Sequence, residues 1–107
     1  MTTFDKREEG FEKKFALDEE LKFKALARRN RLLGLWVAEK LGLADEAAAT
    51  YAKTVIAAEF GEGGDADVIR KVMSDLADKG AAVAEDDIRA KIDELAALAI
   101  AQVKAGV

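Results

Sequence analysis

A basic run at positions 28–31 is the densest group of side chains able to hold a charged ligand. It reads Arg28-Arg29-Asn30-Arg31. A guanidinium presents paired N–H donors that match two phosphate oxygens, so the run predicts phosphate binding by Arg28, Arg29 and Arg31. The alternative is a solvated helix face on which the arginine stems cover apolar neighbours. Consecutive helical residues also point in different directions, so the whole run cannot reach one ligand.

The single tryptophan follows this run and has two interpretations. Trp36 is a candidate ring to stack on a nucleotide base. Its neighbours Leu32, Leu33 and Leu35 predict instead that it packs in a hydrophobic core.

Three phenylalanines near the N-terminus form a second pattern. Phe4, Phe11 and Phe15 are spaced i, i+7 and i+11, which places them on one face of a helix. The residues around them are mostly charged, and Gly10 lowers helix propensity by ~1 kcal/mol relative to alanine. We expect residues 1–18 to be mobile when free and to become helical when a groove accepts the phenylalanines. The alternative is that Phe11 and Phe15 pack back onto the rest of the chain.

The composition argues against an enzyme. The chain has no histidine and no cysteine, which removes the commonest general base and the only thiol nucleophile. The acidic run at 85–87 is interpreted as the first turn of a helix, not as a metal site. The glycine-rich stretch at 61–67 lacks the Lys-Ser/Thr pair of a phosphate-binding loop and is interpreted as a helix end followed by a helix start. We predict no catalytic residue and no bound metal.

Charge and hydropathy limit the partners and the location. The net charge is −4, which argues against nucleic acid as a partner. No apolar run approaches the ~20 residues of a membrane span, so we expect no insertion into a membrane. The N-terminus has no apolar signal core, and a cytoplasmic location is expected.

Glycines divide the rest of the chain into four helical segments. Breaks at Gly42, at 61–64 and at Gly80 are typical of helix ends, and acidic residues follow each break. The predicted helices cover residues 19–41, 45–60, 66–79 and 85–105. Helices of this length with short connections predict an all-α fold, an antiparallel four-helix bundle over residues 19–107, with residues 1–18 as a separate segment. In the first helix, the predicted core stripe is Leu21, Ala25, Leu32 and Trp36, with Leu26 and Leu33 beside it.

Long stretches of the sequence resemble one family, the zeta subunits of alphaproteobacterial F-type ATP synthases. The most specific stretch is the unbroken run from Ala27 to Trp36. The resemblance covers nearly the whole chain. It also rests on Thr2-Thr3-Phe4-Asp5, Arg7-Glu8, Glu12-x-Lys14-Phe15-Ala16, Asp18-x-Glu20-Leu21-x-Phe23-Lys24-Ala25, Tyr51-Ala52-x-Thr54-Val55, Gly64-Asp65-x-Asp67-Val68 and Ile88-Arg89-Ala90-Lys91.

The resemblance implies a regulatory inhibitor of ATP hydrolysis by the catalytic head of the synthase. It implies that the N-terminal segment inserts as a helix between a catalytic α/β subunit pair and the central rotor. The protein would then associate with the inner membrane only peripherally, through the synthase. On this resemblance the partner-binding residues are Phe4, Arg7, Glu8, Phe11, Lys14 and Phe15.

The resemblance also implies weak binding of ADP or ATP, with no cofactor required. A second hypothesis is therefore an adenine-nucleotide-binding sensor module, with Arg28, Arg29 and Arg31 as phosphate contacts. The two functions are compatible with one another.

Overall fold

The computed structural model describes residues 19–107, which form four α-helices and no strand. The helices are α1 (Glu19–Lys40), α2 (Asp45–Ala58), α3 (Asp65–Asp78) and α4 (Glu85–Ala105). The prediction of an all-α, four-helix fold is confirmed. The prediction of a mobile or partly helical segment over residues 1–18 lies outside the described residues.

The helix boundaries follow from the glycines and from the acids next to them. Gly42, Gly64 and Gly80 have positive φ angles in the three connections, a backbone conformation that costs glycine little. The residues before α2, α3 and α4 are alanine or glycine, whose side chains cannot cap a helix. Acidic residues in the first turn of these three helices therefore face the positive end of the helix dipole without a side-chain cap.

Helix α1 lies at the centre of the fold. It packs mainly on α2 and α4, and it also contacts α3. Two contacts show that α1 and α4 run in opposite directions: Arg28 donates to Gln102, whereas Trp36, further along α1, lies against Lys91, which comes earlier in α4.

The core is built from branched aliphatic residues of all four helices, and each helix contributes at least one fully buried side chain. In α1 the buried apolar residues are Ala25, Leu33, Val37 and Ala38. The predicted stripe is right for Ala25 and for Leu33 beside it, whereas Leu21, Leu32 and Trp36 are only half-buried. A helix that touches three neighbours buries a wide face, so leucines lie along its edges as well as its centre. The other fully buried large residues are Val55, Val68, Val72, Leu76 and Ile88.

Gly34 allows α1 and α2 to approach closely. A Cβ atom at this position would lie 2.6 Å from the Cα of Ala52 and 3.0 Å from its Cβ. The nearest atom belongs to the main chain, so relief requires the two helices to move apart. Gly34 is therefore a packing residue of the α1–α2 crossing.

We predict that Gly34→Ala destabilises the fold. Overpacking of this kind costs roughly 1–3 kcal/mol, which outweighs the gain in helix propensity of at most ~1 kcal/mol. Thermal unfolding followed by circular dichroism should show a lower melting temperature. The double variant Gly34→Ala/Ala52→Gly should recover only part of the lost stability, because the closest atom, the Cα of residue 52, remains. A melting temperature unchanged in Gly34→Ala would contradict the close approach.

Candidate functional site

The basic run lies on α1, where two of its residues form a buried polar network. The side chain of Arg29 is 9% exposed and that of Glu59 is 11% exposed, and the two meet at 2.8 Å between Nη2 and Oε1. The same Nη2 lies 2.7 Å from Oδ1 of Asp65, and Nη1 donates to its other oxygen at 3.3 Å. One guanidinium thus joins α1 to the end of α2 and the start of α3.

Asn30 completes this network. It is fully buried, and its Oδ1 accepts hydrogen bonds from Arg29 Nε at 3.0 Å and Nη2 at 2.8 Å. Its Nδ2 donates to Glu59 Oε1 at 2.9 Å. Within residues 19–107, no buried side-chain nitrogen or oxygen lacks a hydrogen-bond partner. The network is therefore closed, as a stable buried polar cluster must be.

This arrangement changes the interpretation of the basic run. Arg29 and Asn30 do not belong to a solvated helix face, because both are buried. Asp65 does more than complement a helix dipole, since it is bonded to Arg29. Arg29 as a phosphate contact stays a prediction, and it would require a phosphate to replace carboxylates that already hold the guanidinium. The partners Glu59 and Asp65 lie 30 and 36 residues from Arg29, so no local sequence pattern reveals the network.

The pKa values of the two carboxyls of the network are shifted in opposite directions. Burial raises the pKa of Glu59, and the nearby negative charge of Asp65 adds to this. The pKa of Asp65 is lowered, first by its hydrogen bond from Arg29. The carboxyl that is harder to ionise is thus the one further from solvent.

We predict that Glu59→Gln changes the pH dependence of stability. A group whose pKa is raised on folding stabilises the fold fully below its ordinary pKa of 4.5, and this contribution is lost as the pH rises through the folded value. Glutamine does not titrate. The melting temperature of the variant minus that of the wild type should therefore increase from pH 4.5 to pH 7.

The matched variant Asp65→Asn should behave in the opposite way. The lowered pKa of Asp65 stabilises the fold above its ordinary pKa of 3.8, and this contribution is lost as the pH falls. Asp65→Asn should be less stable than the wild type at pH 7, with a difference that shrinks in acid. For either variant, a difference from the wild type that is constant with pH would contradict the assigned direction.

The other two arginines of the run line a cleft at the side of α1. The cleft has a volume of about 560 Å³. Its cations are Lys24, Arg28 and Arg31, spaced i, i+4 and i+7 on one face of the helix. Arg28 donates to Gln102 at 3.3 Å, and Arg31 is exposed. The remaining walls are mostly apolar and include Leu21, Ile56 and Val103.

Trp36 does not line this cleft. It is half-buried against the hydrophobic core. The ammonium groups of Lys40 and Lys91 lie 4.6 and 5.3 Å from its ring centroid. The structure therefore brings Arg28 and Arg31 together with Lys24, which is not among the predicted phosphate contacts, and leaves Arg29 and Trp36 in other environments.

The predicted partner-binding residues lie outside the described residues. These are Phe4, Arg7, Glu8, Phe11, Lys14 and Phe15. Residues 19–107 contain no group of three or more His, Cys, Asp or Glu residues arranged to hold a metal ion. In the same range, no helix combines the length and the apolar character needed to cross a membrane.

Comparison with known proteins gives the family. The model of the family described as ATPase inhibitor subunit zeta matches residues 1–102. The chain belongs to this family. A solution NMR structure of a protein 47% identical in sequence superimposes with a TM-score of 0.71, over 81% of this chain and 99% of that one. A search of curated proteins finds no significant match.

Membership of the zeta family confirms the resemblance drawn from the sequence. The match begins at residue 1 and ends at residue 102. It therefore covers residues 1–18 as well as nearly all of the four helices.

Proposed function

We propose that this protein inhibits ATP hydrolysis by an F-type ATP synthase, with residues 1–18 as the inhibitory segment. The observation that carries the proposal is the match to an ATPase inhibitor family that starts at the first residue. The segment inserts as a helix at a catalytic α/β interface beside the central rotor. The protein adds no chemistry of its own and works from the cytoplasmic side, bound to the inner membrane only through the synthase.

The composition of the segment supports a wedge at a protein interface. Phe4, Phe11 and Phe15 supply one line of apolar anchors. Interfaces are commonly held by a few such aromatic side chains inside a polar rim. Arg7, Glu8 and Lys14 supply charges of both signs for that rim.

The folded domain supports the same role. The described part of α1 starts at Glu19, directly after the segment in sequence. The Arg29 network and the core fix α1 against the other three helices. A wedge that extends from α1 is therefore attached to a rigid body, which limits its motion relative to the domain once it is bound.

Site-specific photo-crosslinking tests the proposed position of the segment. A benzophenone analogue of phenylalanine replaces Phe11 in one preparation and Ala82, an exposed residue between α3 and α4, in the other. With the isolated catalytic head, the probe at position 11 should react with α, β or rotor subunits, and the probe at position 82 should react little. Crosslinks from position 82 alone would contradict the proposal.

A second function, weak binding of ADP or ATP, is supported by the cleft beside α1. Three cations along one edge suit phosphates, and the apolar wall suits a nucleoside. Affinity should be low, because no glycine-rich loop cradles the phosphates. Arg28 and Arg31 are the phosphate contacts best supported by this geometry.

We predict that saturating ADP or ATP shifts amide NMR signals in residues 24–40. Arg31→Ala should weaken binding several-fold, since one ion pair to phosphate is lost. Lys53→Ala, which removes an exposed cation from α2, is the control and should leave the affinity unchanged. Signals in residues 24–40 that do not move would place any nucleotide site elsewhere.

A further inference from the structure

Two phenylalanines form an exposed pair at one end of the domain. Phe23 of α1 is 55% exposed, and Phe60, just after α2, is 64% exposed. Their rings are stacked, with centroids 5.5 Å apart and an interplanar angle of 29°. Each ring is held by the other, and both still present more than half of their surface to solvent. A single exposed apolar side chain needs no explanation, but a contiguous exposed apolar patch is typical of an interaction site.

The pair continues into a wider apolar surface. Leu26 and Ile56 lie beside the two rings and line the same shallow cleft. We call Phe23, Leu26, Ile56 and Phe60 the aromatic patch. On its other side Leu26 borders a second cleft, mostly apolar and about 180 Å³ in volume, whose walls include residues of α4.

The buried network holds the aromatic patch in a fixed position. Glu59 and Asn30 line the cleft beneath the rings, and both are bonded to each other and to Arg29. The turn that carries Phe60 is thereby tied to α1, which carries Phe23. A preformed surface loses little conformational entropy when a partner binds to it.

The position of the patch points to its partner. Phe23 is four residues after Glu19, where α1 begins, which is about 6 Å along the helix axis. A protein that binds residues 1–18 therefore comes within reach of Phe23.

We propose that the aromatic patch is a second docking surface for the catalytic head of the synthase, continuous with the inhibitory segment. This inference rests on the proposed function. Exposed Lys22 and Lys24 flank Phe23 in sequence. Lys24 is paired with Glu20, and exposed Glu62 lies two residues after Phe60. The receiving surface is therefore expected to be apolar, with charges of both signs around it.

The two surfaces have separate tasks under this proposal. Residues 1–18 block catalysis, and the aromatic patch adds affinity and sets the angle at which α1 leaves the head. Loss of the patch should then weaken binding without preventing full inhibition at saturation.

The test uses the full chain with Phe23→Ala and Phe60→Ala combined. Titrated against the isolated catalytic head, the double variant should need on the order of tenfold more protein for half-inhibition, as expected for loss of an aromatic anchor. Maximal inhibition should stay the same. Leu98→Ala is the control, because Leu98 is a 44% exposed apolar residue of α4 outside the patch, and it should inhibit like the wild type. Circular dichroism should show that all variants are folded.

The outcomes separate this proposal from the proposed function. If the wild type does not inhibit, the proposed function fails and this inference fails with it. If the wild type inhibits and the double variant inhibits at the same concentration, only the docking surface is refuted. A double variant that inhibits at a lower concentration would mean that the patch covers the chain's own N-terminal segment. Dimers of the wild type that the double variant cannot form would assign the patch to contacts between copies. Either result overturns the proposal.

Discussion

Deletion of residues 1–18 is expected to abolish inhibition of ATP hydrolysis and to leave residues 19–107 folded. Among the described residues, the buried apolar core begins at Ala25 and includes residues of all four helices. The deletion removes none of these residues, so the fold should keep its helical circular dichroism signal and its cooperative unfolding. The inhibitory contacts, in contrast, are proposed to lie in the deleted segment.

Single substitutions within the segment should weaken inhibition without abolishing it. Phe11→Ala and Phe15→Ala should each raise the half-inhibitory concentration several-fold or more, since a buried aromatic anchor commonly contributes more than ~1 kcal/mol. Glu9→Ala is the control at the charged rim and should matter less.

Gly10→Ala should strengthen binding to the catalytic head by up to ~1 kcal/mol, because alanine lowers the cost of forming a helix on binding.

The deletion has a clear contradicting outcome. A chain without residues 1–18 that inhibits as well as the intact chain would place the inhibitory surface on residues 19–107 and refute the proposal that residues 1–18 are the inhibitory segment.

Replacement of Arg29 by methionine is expected to give the largest loss of stability of any substitution considered. The variant leaves Glu59 and Asn30 buried without the guanidinium that bonds to both. Removal of one partner from a buried ion pair costs roughly 3–5 kcal/mol. We expect about 3 kcal/mol, the low end of that range, because the side chain of Asp65 is 55% exposed and solvent screens its charge.

Two comparison variants isolate the effect of Arg29. Arg31→Met removes an exposed arginine from the same helix and should change the free energy of unfolding by no more than about 0.5 kcal/mol. Arg29→Met combined with Glu59→Met should recover part of the loss, since no buried carboxylate is then left unpaired. Urea unfolding of the four proteins measures these differences. Equal stability of Arg29→Met and Arg31→Met would show that the network contributes little.

The helices could be predicted from the sequence because their signals are local. A glycine or a first-turn acid lies within a few residues of each boundary, and the predicted bounds differ from the observed ones by two residues at most. The largest difference is at the end of α2, which stops at Ala58 instead of residue 60. Phe60 and Gly61 there donate to carbonyl oxygens three residues earlier, at Ala57 and Ala58, so the chain has already left the regular helix.

The features that position the site depend on distant residues and could not be predicted in the same way. Arg28 and Arg29 are adjacent and chemically identical in the sequence. Only the folded chain shows that Glu59 and Asp65 contact Arg29 and not Arg28. Gly34 looks like a weak point in a helix, but its role comes from Ala52 on another helix. The clustering of Lys24 with Arg28 and Arg31, in contrast, follows from their i, i+4 and i+7 spacing and could be predicted from the sequence.

Inhibition by this protein is tested most directly by the rate of ATP hydrolysis by the isolated catalytic head as the intact protein is added. ATP is kept saturating, and the head must be able to turn over so that its catalytic interfaces open and close. We predict that the rate falls with increasing protein to a small residual value at saturation. The chain truncated by residues 1–18, added at the same concentrations, should leave the rate unchanged. A rate that stays at its starting value with saturating intact protein would show that the protein does not inhibit ATP hydrolysis.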